Sequence, residues 1–164
     1  MTIRKLEIER FSVTSSKPIE KVVAALKAAV GQPDMADFAK AIKGAQTFAE
    51  LERAVQTGLG RTELMIFMEL DLGAILRREA GRDVPRVVRF IIGNPLIMKE
   101  MVRHVPDSGS YAPVTILVDE RSDGVHLSYD RMTSLLAPYG NRDALDVARH
   151  LDAKVESLLR ESAA

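Results

Sequence analysis

The chain has 164 residues, in which 23 Lys and Arg balance 23 Asp and Glu, and it has no cysteine. A chain of this length is predicted to form a single domain, residues 1–164, with a core that needs no disulfide or metal. The balanced charge argues against nucleic-acid binding, and the missing cysteine excludes disulfides, thiolate metal sites and cysteine nucleophiles.

The N-terminal residues alternate charged and apolar side chains, unlike a signal peptide, and no apolar run reaches the roughly 18 residues that a membrane span needs. We therefore expect a cytoplasmic protein without a membrane partner. Residues 3–13 are predicted as a strand, with a bulge near Glu9 and Arg10 where the apolar positions change parity. A helix should follow, with Ser15 or Ser16 as its N-cap and Gly31 at its end.

Residues 31–61 are predicted to be a helical insertion into a smaller core. Its first helix runs from Pro33 to Gly44. The second opens with Thr47 and Glu50, the spacing of a capping box, and ends at Gly58.

Strands and short helices alternate in the second half of the chain. Asp71 and Asn94 are predicted N-caps of the two short helices, and Asn141 is the predicted N-cap of a long C-terminal helix. The predicted strands are 64–70, 87–92, 114–120 and 125–130, the last two joined by a hairpin. This order predicts an α+β fold with a single, mainly antiparallel sheet of about five strands packed against helices.

Alternation of side chains divides the strands after residue 62 into two faces. One set is almost wholly apolar and should lie under the long helices: Leu64, Ile66, Met68, Leu70, Val88, Phe90, Ile92, Val114, Ile116, Val118, Val125, Leu127 and Tyr129. The other set mixes apolar and polar residues: Met65, Phe67, Glu69, Val87, Arg89, Ile91, Thr115, Leu117, Asp119, His126, Ser128 and Asp130.

The mixed face suits neither full exposure nor a dry core, and we expect it to be half covered. The short helices at 72–80 and 95–104, a second copy of the chain, or a ligand could each provide the cover. A symmetric partner is a natural candidate, because homodimers are the commonest oligomers. The predicted ligand site on or near this face comprises Glu69, Arg89, Asn94, His104, Tyr111, His126, Ser128 and Asp130.

Glu69 and Arg89 each interrupt an apolar strand, either to orient a ligand or to form a semi-buried salt bridge. His126, Ser128 and Asp130 follow one another at steps of about 6.8 Å, which are too long for a serine nucleophile and its base. The three histidines are not spaced four apart on a helix, and no metal site is predicted.

Two short motifs resemble the domain-of-unknown-function 302 family. They are Gly93-Asn94-Pro95, followed by a helix, and Tyr111-Ala112-Pro113-Val114, just before a strand. The opening, with Ser16-Lys17-Pro18 and the amphipathic helix behind it, is also similar. The resemblance implies a TATA-binding-protein-like fold, a curved antiparallel sheet backed by helices, often as a homodimer. It brings no catalytic residues, because the family has no agreed activity.

The sequence thus predicts a soluble homodimeric protein that binds a small anionic or amphipathic ligand at the mixed face. One alternative is a small enzyme that uses Glu69, Arg89, His126 and Asp130. Another is an interaction module without a pocket. The sequence identifies no cofactor.

Overall fold

The computed structural model describes residue 1 and residues 3–164, and its centre is one antiparallel sheet with strand order β1-β5-β4-β3-β2. The strands are β1 (Arg10–Ser15), β2 (Met65–Asp71), β3 (Val87–Gly93), β4 (Val114–Arg121) and β5 (Gly124–Asp130). The helices are α1 (Ile19–Ala29), α2 (Met35–Gly44), α3 (Phe48–Gly58), α4 (Gly73–Ala80), α5 (Pro95–Val102), α6 (Met132–Leu136) and α7 (Arg142–Ala163), with 3₁₀ turns at Pro106–Ser110 and Ala137–Tyr139. The predicted α+β class and five-stranded antiparallel sheet are confirmed.

Helices α1 and α7 pack on one face of the sheet and enclose the core. A row of directly opposed residues across this face, Phe90, Ile116 and Tyr129, is 0%, 0% and 2% exposed. The residues predicted for the apolar face on β3, β4 and β5 are all in this core. Strict alternation in these three strands therefore placed their side chains correctly.

Several predicted helix starts are confirmed by the side chains that cap them. The side chain of Asn94 accepts a hydrogen bond from the backbone of Leu96 at 2.8 Å, and that of Asn141 accepts one from Ala144 at 2.9 Å. The predicted cap at Asp71 is displaced by one residue: the N-cap of α4 is Leu72, and the Asp71 carboxylate accepts a hydrogen bond from the Ala74 backbone at 3.0 Å. Residues 31–61 contain the two predicted helices, α2 and α3. That residues 31–61 are an insertion into a smaller core stays a prediction.

The N-terminal prediction is wrong in three respects. The predicted bulge near Glu9 and Arg10 does not form, because β1 pairs with β5 in unbroken register from Arg10 to Ser15. Strand β1 begins only at Arg10, because its partner β5 ends at the opposing Asp130. The backbone of Glu9 instead bonds to Arg131 and to the Ser134 hydroxyl, at 2.9 and 3.1 Å. The predicted serine cap is also absent from α1: Ser15 donates to the carbonyl of Ala163 at 2.6 Å, beside the end of α7.

Helix α6 was not predicted, and it is held by a buried carboxylate from a distant part of the chain. Asp152 of α7 is 1% exposed and accepts hydrogen bonds from the Tyr129 hydroxyl at 2.7 Å and the Met132 backbone at 2.8 Å. It also accepts from the backbone and the hydroxyl of Thr133. Burial, and then the Asp152 charge, raise the pKa of Tyr129, which keeps its hydroxyl as the donor. The cluster joins α6, α7 and β5.

Candidate functional site

The face of the sheet opposite α1 and α7, here called the open face, carries a mixed row across all five strands. The row consists of directly opposed residues: Leu70, Arg89, Leu117, Ser128 and Ser12. Arg89 and Ser12 are exposed, while Leu117 and Leu70 are half-buried. The mixed character predicted for this face is therefore present on β3, β4 and β5.

A cleft of about 530 Å³ lies on the open face. The segment before β1 forms one wall with Leu6 and Ile8, and Tyr111 and Leu135 also line the cleft. The remaining lining residues are Arg10, Arg89, Ile91, Ser110, Pro113, Val114, Thr115, Leu117, Ser128, Tyr129 and Asp130. Its volume is within the range of about 300–1,000 Å³ that small-molecule sites occupy.

The short helices, one of the three possible covers, do not cover this face. Helix α5 packs against α7 and α3, on the other side of the sheet end. On α4, Ile75 is 73% exposed and Leu76 is 47% exposed. The cover is instead partial and comes from the N-terminal segment with Leu6 and Ile8, which leaves the middle of the face accessible.

The charged groups of the cleft are two arginines and one carboxylate. Arg10 forms a two-point ion pair with Asp130, with Nε–Oδ1 and Nη2–Oδ2 distances of 2.6 and 2.9 Å. The hydrogen bonds and charge of Asp130 raise the pKa of Arg10. Arg89 donates to the hydroxyl of Thr115 at 3.2 Å and has no ion pair with a carboxylate within residues 1 and 3–164. The cleft therefore has an uncompensated positive charge at Arg89.

Tyr111 lies at the rim of the cleft and is tied to a second tyrosine. The hydroxyls of Tyr111 and Tyr139 are 3.2 Å apart, and Tyr139 donates to a carboxylate oxygen of Asp107 at 2.8 Å. Hydrogen bonds to Tyr111 and Asp107 raise the pKa of Tyr139 to about 12. The Arg4 guanidinium stacks on the Tyr139 ring at 4.2 Å, so this pair also anchors the N-terminal segment.

The prediction that Glu69 shares a face with Arg89 is wrong. A bulge between Ile66 and Met68 shifts the register of β2 against β3, so that Glu69 lies opposite Phe90 and Leu70 opposite Arg89. Glu69 projects toward α1 and pairs with Lys27 at 2.6 Å. No Glu69–Arg89 salt bridge forms. The same bulge moves Met68 and Leu70 out of the apolar set, and Met68 is 52% exposed.

Three more predicted site residues lie outside the cleft. His126 is on the open face, but near the β4–β5 turn, where its Nε2 lies 2.8 Å from a carboxylate oxygen of Asp123. His104 follows α5 and is exposed. Both ends of the Asn94 amide bond to backbone groups: its oxygen caps α5, and its nitrogen donates to the carbonyl of Glu63 at 2.9 Å. The structure thus brings together Arg89, Tyr111, Ser128 and Asp130, but not Glu69, Asn94, His104 or His126.

Three of the cleft residues that the sequence prediction missed come from the N-terminal segment. Leu6, Ile8 and Arg10 were assigned to a longer strand, and pairing of β1 with β5 was not predicted. The alternation of charged and apolar residues at positions 3–9 shows which side chains are apolar, but not which surface they contact. Ser110 and Pro113 lie in a loop whose path is not set by a repeating pattern.

A second cavity, of about 220 Å³ and here called the apolar pocket, adjoins the cleft at Pro113 and Val114, which line both. Its other lining residues are Phe67, Gly93, Asn94, Pro95, Ile97, Met98, Met101, Ala112 and Leu151. The two motifs of the sequence thus meet here. A Cβ on Gly93 would lie 3.0 Å from the Pro113 Cβ, so glycine permits the close approach of β3 to the start of β4.

Within the described part of the chain, no group of three or more His, Asp and Glu residues is placed to hold a metal ion. Nor does any described helix combine the length and the apolar composition needed to cross a bilayer.

Comparison with known proteins gives a family and a fold. No curated protein matches the chain. Among solved structures, the chain is similar to an uncharacterized conserved DUF302 protein from Bacillus stearothermophilus, with a TM-score of 0.64 and 13% sequence identity over 93% of this chain and 97% of that one. At this identity the likeness concerns the fold. The family model "Domain of unknown function DUF302" matches residues 38–162, well over half of the chain. The resemblance noted at Gly93-Asn94-Pro95 and Tyr111–Val114 is therefore confirmed, and the chain belongs to the DUF302 family.

Proposed function

We propose that the protein binds a small amphipathic anion in the cleft of the open face, with Arg89 as the group that receives the negative charge. The proposal is supported chiefly by the exposure of Arg89 and by its lack of a carboxylate partner among the described residues. Arg89 is an exposed guanidinium in the middle of a sheet, and its one hydrogen bond within residues 1 and 3–164 goes to a threonine hydroxyl. Arg10, in the same cleft, is neutralised by Asp130.

The surroundings of Arg89 support an anion with an apolar body. A guanidinium presents donors in a fixed fork that matches a carboxylate or phosphate. Ser128 and Thr115 add hydroxyls in the same cleft. Leu6, Ile8, Ile91, Leu117 and Leu135 supply the apolar wall. A site with many apolar contacts and a few polar groups that fix orientation is typical of small-molecule binding.

The alternative of a small enzyme needed Glu69, Arg89, His126 and Asp130 to lie together, and they do not. Glu69 lies on the opposite face, and His126 bonds to Asp123 outside the cleft lining. Only Arg89 and Asp130 of that set line the cleft, and Asp130 is held by Arg10. Binding is accordingly the function that the cleft supports best.

Octanoate, a carboxylate with an apolar chain, tests the proposal in calorimetric titrations. We expect Arg89→Gln to weaken its affinity about tenfold or more, because a hydrogen bond to a charged group contributes about 1.5–3 kcal/mol. Arg78→Gln, at an exposed position of α4 outside the cleft, should leave the affinity unchanged. Glu69→Gln should do the same, since Glu69 faces α1. Equal affinity of wild type and Arg89→Gln would contradict the proposal.

A second copy of the chain is the competing occupant of this face, and the homodimer stays a prediction. Light scattering of the wild type with and without octanoate separates the two occupants. A monomer that binds octanoate supports the ligand. A stable dimer that octanoate does not affect, and that Arg89→Glu dissociates, would show that the face is a subunit interface instead.

A further inference from the structure

The apolar pocket has no role in anchoring an anion, yet it adjoins the cleft that does. The linings of the two cavities share Pro113 and Val114, at the start of β4. Apart from Asn94, the pocket is lined by apolar residues and glycine, and the Asn94 amide is already bonded to the backbone of Glu63 and Leu96. Nothing in this wall offers an orienting charge, so the pocket suits a hydrocarbon group.

The volume supports the same conclusion. An apolar cavity of about 150 Å³ in another protein stays dry and binds benzene. The pocket, at about 220 Å³, is larger than that, but smaller than the roughly 300 Å³ at which sites for whole drug-sized molecules begin. It can therefore hold one apolar part of a ligand whose remainder lies elsewhere.

We infer that the two cavities form one bipartite site, in which the anionic head binds at Arg89 and a hydrocarbon tail passes Pro113 into the apolar pocket. This inference rests on the proposed anion site and narrows its ligand class to amphiphiles with an extended alkyl or aryl tail. The tail would contact two walls of the apolar pocket. One is formed by Phe67 in the β2 bulge, and the other by Met98 and Met101 on α5.

The bulge and the methionines give the pocket its shape. Phe67 occupies the extra position of β2 and contacts Phe38 edge-on, with ring centroids 6.3 Å apart. Met101 is fully buried, whereas Met98 is half-buried. Methionine side chains are flexible and adapt to apolar guests of different shape.

A series of straight-chain carboxylates from butanoate to decanoate tests the inference by calorimetry. We expect the affinity to rise about fourfold for each added methylene until the pocket is full, which corresponds to about 0.8 kcal/mol per buried CH₂. Met98→Trp, which fills the pocket, should remove this dependence on chain length while butanoate still binds. Ile75→Trp adds the same side chain at an exposed position of α4, and in this variant the affinity should still rise with chain length.

Methyl NMR of wild-type protein labelled at methionine gives a readout that needs no variant. Decanoate should shift the signals of Met98 and Met101 and leave Met35 on α2 unchanged. 1-Octanol, which has a tail but no charge, should shift the same two signals.

The outcomes separate the two proposals. Carboxylates that bind through Arg89 with the same affinity at every chain length would overturn the tail pocket and leave the anion site. Shifts of Met98 and Met101 with octanol, combined with carboxylate binding that Arg89→Gln does not weaken, would overturn the anion site. No shift at Met98 or Met101 with either probe would overturn the bipartite site.

Discussion

We expect Asp152→Ala to lower the free energy of unfolding by about 3 kcal/mol or more, since each buried donor left without a partner costs about 1–3 kcal/mol. The substitution removes the acceptor of the Tyr129 hydroxyl and of the first backbone N–H groups of α6. It also leaves a cavity in the core where α6, α7 and β5 meet. Urea denaturation followed by circular dichroism measures the change.

Asp146→Ala is the matched control on the same helix. Asp146 is exposed, and within the described residues its ion pair is with Arg149, three residues away. Its replacement should change the free energy of unfolding by no more than about 0.5 kcal/mol. If Asp152→Ala were as mild as this control, the buried cluster would not stabilise α6.

Gly31→Ala is the second substitution with a large expected effect. A Cβ at position 31 would lie 1.9 Å from the carbonyl oxygen of Gly58 and 2.7 Å from the backbone nitrogen of Gly60. Both neighbours are backbone atoms and cannot rotate away. The same residue bridges to β2, with its N–H donating to Leu64 and its carbonyl accepting from Ile66, at 2.9 and 2.8 Å. We expect a loss of about 3 kcal/mol or more in the free energy of unfolding.

Gly44→Ala makes the same chemical change at the end of α2, where an added Cβ meets nothing within 4 Å. Alanine is a better helix former than glycine by up to about 1 kcal/mol, so this variant should be neutral or slightly more stable. Thermal and urea denaturation of the two variants side by side check the prediction. A Gly31→Ala protein as stable as Gly44→Ala would show that the segment at 58–60 moves away without cost.

The sequence predicted the fold well where one pattern was uninterrupted. In β3, β4 and β5, every second residue is apolar from 88 to 92, from 114 to 118 and from 125 to 129, and the core face of all three strands follows from this regular register. The caps at Asn94 and Asn141 were predictable because an asparagine precedes a helical apolar pattern. Helix α6 was not, because it is five residues long and its N-terminus is held by Asp152, a residue far along the chain.

The candidate site could be predicted only in part, and β2 shows why. Almost every residue from Leu64 to Leu70 is apolar, so alternation gives no contrast that would locate a bulge. One extra residue at Phe67 then transferred Glu69 to the helix side. Arg89, Ser128 and Asp130 were placed correctly because their strands are regular. Arg10 was missed because its place in the cleft depends on pairing between β1 and β5.

Binding of an anion at Arg89 on the open face can be observed residue by residue, by amide NMR of the wild type titrated with octanoate. We expect shifts concentrated around Arg89 on β3, Thr115 on β4 and Ser128 on β5, with α4 unchanged. Shifts confined to other parts of the molecule, or none at millimolar octanoate, would contradict anion binding at Arg89.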